Sequence, residues 1–97
     1  MKKVEIVIPI YYNNVDEIEL SIKEQIEFYE KNLKNYEWKI IIGLNGPNKN
    51  GIIEKVKNIC AKENNVVYDY TEESGRGVSL NRTFVNSKAD FILYMDV

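Results

Sequence analysis

The residues best suited to chemistry in this 97-residue chain are a carboxylate, a cation between two glycines, and a group of tyrosines and asparagines. Asp96 follows five apolar residues, Phe91-Ile92-Leu93-Tyr94-Met95. A charge at the end of a buried strand is costly unless a metal, a cation or backbone amides receive it. Gly75-Arg76-Gly77 combines two residues that permit close backbone approach with a guanidinium able to meet a phosphate, just ahead of an apolar helix pattern. As plain turn chemistry the same tripeptide reads equally well. Tyr11 and Tyr12 offer flat faces on which a nucleotide base can stack, or pack between a strand end and a helix. Asn13 either caps the chain or binds a ligand, and Asn45-Gly46 either turns the chain or offers an amide to a base or ribose.

These residues need elements to position them, and the hydrophobic periodicity supplies seven. Val4-Glu5-Ile6-Val7-Ile8 reads as a buried strand that meets Pro9 and runs out into Ile10-Tyr11-Tyr12-Asn13-Asn14. Proline cannot donate to a ladder, so pairing is expected to finish near Pro9. Val15, Ile18, Ile22, Ile26, Tyr29, Leu33 and Tyr36 recur in steps of three and four, the stripe of a long helix, with Asn14 and Glu17 as a variant capping box. Trp38 to Leu44 is a second strand, followed by turn formers from Asn45 to Gly51. Ile52, Ile53, Val56, Ile59 and Cys60 mark a second helix that ends at Asn64-Asn65. Val66 to Tyr70 is a third strand, Val78, Leu80, Phe84 and Val85 a third helix, and Phe91 to Met95 a fourth strand that Asp90 starts at the far rim. Strands alternating with helices imply right-handed crossovers and a parallel sheet covered on both faces, with every strand ending on one rim. The unusual polar residues lie at those four ends, and in open α/β sheets that rim binds ligands.

Composition narrows the chemistry. A net charge of -2 gives no electrostatic argument for nucleic acid or an anionic membrane. A single cysteine, Cys60, excludes an internal disulfide and is expected to be an inert core residue. There is no histidine, so a metal would be held by oxygen, which favours magnesium or manganese over zinc. Met1-Lys2-Lys3 before an apolar run only superficially resembles a signal peptide, because Glu5 and Pro9 interrupt it and no small-residue cleavage site follows. A cytoplasmic setting is the expectation. Val97 follows the fourth strand with no polar tail, so the chain is expected to be the amino-terminal part of a longer protein.

Four segments in this order resemble family 2 glycosyltransferases: Val7 to Asn14, Ile40 to Gly46, Gly75 to Phe84, and Phe91 to Asp96. That family runs its first strand into Pro-x-Tyr-Asn and ends its fourth in an Asp-x-Asp metal motif. The segment Gly75 to Phe84 is most similar to the Gly-Lys-Gly loop and following helix of polyprenyl-phosphate mannosyl- and glucosyltransferases. The resemblance implies the amino-terminal half of a GT-A fold, a Rossmann-like three-layer αβα sandwich with a mostly parallel sheet of order 3-2-1-4. Residues 1–97 would then be the nucleotide-sugar-binding half of that domain. By position, Pro9, Tyr11 and Asn13 would line the base and ribose pocket, with Asn45 and Gly46 near the base. Arg76 and Gly77 would lie along the donor near its base or phosphates. Asp96 would help hold Mg²⁺ or Mn²⁺ on the diphosphate, and no residue present takes a catalytic role.

Three departures qualify the resemblance. Asn45-Gly46-Pro47-Asn48 stands where the family usually has Asp-Asp-Gly-Ser, so the charged acceptor for the base is missing. Tyr12 and Asn14 replace a small residue and an acidic one. The chain also stops inside Asp-x-Asp, leaving the second metal carboxylate, the catalytic base and the acceptor half outside it. The resemblance therefore implies a donor-binding piece that does not itself catalyse transfer. Its acceptor would be a polysaccharide, a lipid phosphate or a protein, with any contact to the inner face of a membrane made by the missing part. The rival expectation is a nonenzymatic α/β binding or regulatory module. A sugar nucleotidyltransferase ranks third, because a glycine-rich loop would be needed where Pro9-Ile10-Tyr11-Tyr12 stands.

Overall fold

In the computed structural model, residues 1–10, 15–45, 51–71 and 88–95 are described. Their elements run in the order β1 (Lys2–Ile10), α1 (Val15–Asn32), β2 (Tyr36–Asn45), α2 (Ile52–Lys62), β3 (Val66–Thr71) and β4 (Phe91–Tyr94). The four strands form one sheet of order β3-β2-β1-β4, and every pairing is parallel. The chain is thus a Rossmann-like α/β unit whose sheet is parallel throughout. The expected third helix, carrying Val78 to Val85, lies outside the described residues.

The core follows from strand alternation. Val4, Ile6, Ile8 and Ile10 of β1 pair in register with Trp38, Ile40, Ile42 and Leu44 of β2. With Val66, these residues except the partly buried Trp38 form one buried cluster with Ile18, Ile22, Ile26 and Tyr29 of α1 and Ile52, Val56 and Ile59 of α2. Both described helices therefore cover the same face of the sheet. Each fully buried isoleucine contributes roughly 1.5–3 kcal/mol of transfer free energy. Val7, on the opposite face of β1, is also fully buried. Burial on both faces of a central parallel strand explains why the stretch Ile6-Val7-Ile8 is apolar without interruption.

One boundary differs from the periodicity. The helical stripe predicts α1 to Tyr36, yet the helix closes at Asn32, where the Asn32 side-chain amide donates to the Phe28 carbonyl at 2.8 Å. Leu33 N–H still reaches the Tyr29 carbonyl, and a turn delivers Tyr36 to β2. Tyr36 matches the helical spacing by coincidence, and its ring instead meets Phe91 edge-on at 6.5 Å. At β1 pairing finishes near Pro9 as expected, one residue on at Ile10, with Pro9 itself opposite Gly43. Before α2, Gly51 adopts φ 68°, a left-handed conformation that an L side chain resists. Its carbonyl accepts from Lys55 N–H at 3.1 Å and opens the helix without a side-chain cap.

Candidate functional site

The carboxyl rim is formed where β1, β2 and β3 end almost level: Ile10 pairs with Leu44, Leu44 with Tyr70, and Asn45 with Thr71. The last described pair of β1 with β4 is Val7 with Tyr94. The strand order makes β1 and β4 the switch point, since the chain leaves β1 in one direction along the sheet and reaches β4 on the other side. Crevices at such points, outside the carboxyl ends, are where open α/β sheets hold ligands.

Pro9 limits the β1–β4 ladder toward the carboxyl rim. In the β1–β4 ladder the odd residues of β1 turn their backbone groups toward β4, as the bond from Met95 N–H to the Val7 carbonyl at 3.0 Å shows. The next rung would join the N–H of residue 9 to the carbonyl of Met95. Proline has no N–H, so that rung cannot form. On its other side Pro9 costs nothing, because the even residues of β1 carry the ladder to β2. A proline in a central strand is tolerated here because its missing donor faces β4 beyond the last described pair of the two strands.

Of the predicted site residues, the described ones are Pro9, half-buried in β1, and Asn45, the last residue of β2. They stand on neighbouring strands at the carboxyl rim. Tyr11, Asn13, Gly46, Arg76, Gly77 and Asp96 lie outside the described residues. Tyr11 follows Ile10 directly in the chain and Asp96 follows Met95, so both flank the rim in sequence.

One rim residue escaped the sequence reading. Asp69 is half-buried and in register with Gly43, which is in register with Pro9. Across two strand spacings the Pro9 and Asp69 backbones are roughly 10 Å apart on one face. A carboxylate inside Val66-Val67-Tyr68-Asp69-Tyr70 was a legible signal, since aspartate is depleted in strands.

Elsewhere the chemistry is structural. At the amino rim a groove of about 450 Å³ is lined by Lys3, Glu5, Glu37, Lys39 and Lys88 among others. Its size suits a small ligand, but its lining carries both signs, with Lys39 paired to Glu5 at 3.6 Å. Asp90 lies at the same rim, as expected, and its carboxylate accepts from Lys3 N–H at 2.7 Å. Strand direction argues for the opposite rim and outweighs cavity volume here. Between the helices, Lys55 bonds Glu19 at 2.8 Å and holds that carboxyl below its ordinary range, first by the hydrogen bond and then by its charge. Burial raises the Cys60 thiol, which packs against the core as a partly buried residue.

Among the described residues no three His, Cys, Asp or Glu side chains group to hold a metal, and no described helix is long and apolar enough to cross a membrane. Asp96, the one residue expected to meet a metal, offers hard carboxylate oxygens suited to Mg²⁺ or Mn²⁺. No protein-family model and no curated protein sequence matches this chain.

Proposed function

We propose that this chain is the donor-nucleotide part of a glycosyltransferase, taking a nucleotide-diphosphate sugar at its carboxyl rim. The observation that carries the reading is the β3-β2-β1-β4 order, whose switch point falls beside Pro9. In the chain Tyr11 and Asn13 follow β1, and Asp96 follows β4. In this reading Pro9, Tyr11, Asn13, Asn45 and Gly46 surround base and ribose, and Arg76 and Gly77 run along the donor. Asp96 helps hold a divalent cation, which when bound neutralises the diphosphate leaving group. The acceptor class is left to the remainder of the protein.

Titration with UDP, GDP and their sugar conjugates by calorimetry tests the reading. The expected result is weak binding that Mn²⁺ strengthens about tenfold or more, a gain of about 1.4 kcal/mol, with Asp96→Ala abolishing that gain. Binding that ignores the metal in the parent chain sinks the metal assignment, and no binding of either nucleotide sinks the donor assignment.

A nonenzymatic docking module is the second reading, favoured by the exposure of Phe91, Leu93 and Met95 at 46%, 41% and 41% on and beside the edge strand β4. It predicts no nucleotide binding with or without Mn²⁺.

A further inference from the structure

The helical layer leaves one strand of the sheet bare. Phe91 and Leu93 of β4 stand opposite Val4 and Ile6, on the face that α1 and α2 cover, and Met95 continues the alternation. Val4 and Ile6 are buried there, whereas Phe91, Leu93 and Met95 are exposed. On the other face of the strand Tyr94 is exposed and Ile92 half-buried. Among the described strands β4 is an edge of the sheet. Edge strands are ordinarily blunted by a charge or a proline, because a bare apolar edge is a template for a further strand. Phe91-Ile92-Leu93-Tyr94-Met95 contains neither.

We infer that β4 is a dimer interface, joining two copies of this chain edge to edge across a two-fold axis at Leu93. Two antiparallel copies of the strand in that register set Leu93 against Leu93 of the second copy, Phe91 against Met95, and Ile92 against Tyr94, so every cross-strand pair is apolar. Phe91 with Met95 also brings a thioether to a ring. Backbone direction agrees with this register. Met95 bonds to β1 through its N–H, so the odd residues of β4 turn their backbone groups inward and the even ones, Ile92 and Tyr94, turn theirs outward. Those two form the hydrogen-bonded pair of the antiparallel ladder, and Leu93 on the axis forms the closer, non-hydrogen-bonded pair. The Lys2 ammonium lies 5.5 Å over the Phe91 ring, so each Met95 meets a ring that carries a cation. At 37% to 46% exposure, Phe91, Leu93, Tyr94 and Met95 each offer on the order of 80 Å². With the backbone of both strands the interface reaches on the order of 1,000 Å², the least that a specific one needs, so a weak and reversible dimer is expected. The two-fold closes on itself and gives no filament. The inference holds whichever ligand the carboxyl rim takes.

Sedimentation equilibrium of the chain without nucleotide, from micromolar to millimolar concentration, tests the inference, with circular dichroism confirming that each variant folds. The expected result is a reversible monomer–dimer equilibrium. Leu93→Lys sets two ammonium groups face to face on the axis and should weaken the dimer by about tenfold or more. Met95→Lys should weaken it as well, because the new charge meets Lys2 of the second copy, whereas Met95→Glu should keep or strengthen it. The Met95 variants lie beyond the last paired residue of β4 and also serve if Leu93→Lys does not fold. In a Cys60→Ser background, Leu93→Cys should cross-link under mild oxidation and Ile92→Cys should not. A chain that stays monomeric at millimolar concentration overturns the inference, and so does growth beyond the dimer. A dimer that a folded Leu93→Lys leaves intact moves the interface off β4. Equal weakening by Met95→Lys and Met95→Glu, or equal cross-linking at positions 92 and 93, overturns the register.

Discussion

The two rims of the sheet finish the same pair of strands in opposite ways. At the amino rim β1 and β4 are tied beyond the regular ladder: Asp90 accepts from Lys3 N–H through its carboxylate and donates its own N–H to the Lys3 carbonyl at 3.0 Å. At the carboxyl rim the last described rung is Met95 N–H to the Val7 carbonyl, and Pro9 has no N–H to give to the next. At the tied rim, lysines and glutamates of mixed sign line a groove of about 450 Å³. The comparison separates space from reactivity. A groove between long solvated side chains is an ordinary product of strand ends, whereas an interrupted ladder leaves backbone polar groups that need a partner.

The largest expected effect comes from the middle of the sheet, on which both rims depend. Ile8→Ala empties a fully buried position and should cost about 2–5 kcal/mol in urea unfolding, lowering protection at both rims together. Loss of protection at one rim alone would show that the rims are separate cooperative units. Next in size is the functional contrast between the rims. Replacing Lys3 and Lys88 together by alanine should leave UDP and GDP affinity within twofold of the parent, whereas Asp96→Ala should remove the Mn²⁺-dependent gain. The reverse pattern would move the site to the amino groove.

A smaller effect is expected at the tied rim. Asp90→Ala should cost about 1 kcal/mol, the scale of a lost cap, and should speed exchange of the Lys3 amide without touching that of Ile10. Equal acceleration at both ends would mean that the side-chain tie sets the whole β1–β4 pairing. The smallest effect is a pH dependence away from both rims. Burial raises the Tyr29 hydroxyl, whose proton donates to Gln25 Oε1 at 3.1 Å. The folded state then keeps this proton to higher pH than the unfolded chain. Stability should be unaffected by Tyr29 below the unfolded value, about 10, and should fall as pH rises through it toward the folded value. Thermal melts from pH 8 to 11 should show this slope flattened in Tyr29→Phe, and an unchanged slope would assign it to other groups.

Most elements were legible because period-2 and period-3.6 apolar patterns are local. Val4 to Ile8 with Trp38 to Leu44 declared buried strands, and Ile18, Ile22, Ile26 and Tyr29 declared the inner stripe of α1. Tyr36 was misread because a residue in step with a helix can sit in the next strand, and only packing against Phe91 separates the two cases. The rim was legible as a place, since strand direction follows from the β-α-β order. Its members were legible only in part: Asp69 is unusual within a strand, but its alignment with Gly43 and Pro9 depends on register across three strands.

By itself the sequence determined the alternation of elements, the apolar faces that pair them, and the polar residues delivered to the strand ends. Each of these is a property of residues close together in the chain. Tertiary structure decided which strand lies beside β1 on its far side, and hence what the proline does. Pro9 read alone forecasts only the end of a strand. Beside β4, with odd-numbered backbone groups turned toward it, the same residue withholds a donor from the neighbouring strand. A missing donor has a consequence only once the acceptor opposite is known, and residues 9 and 95 meet only in the folded sheet.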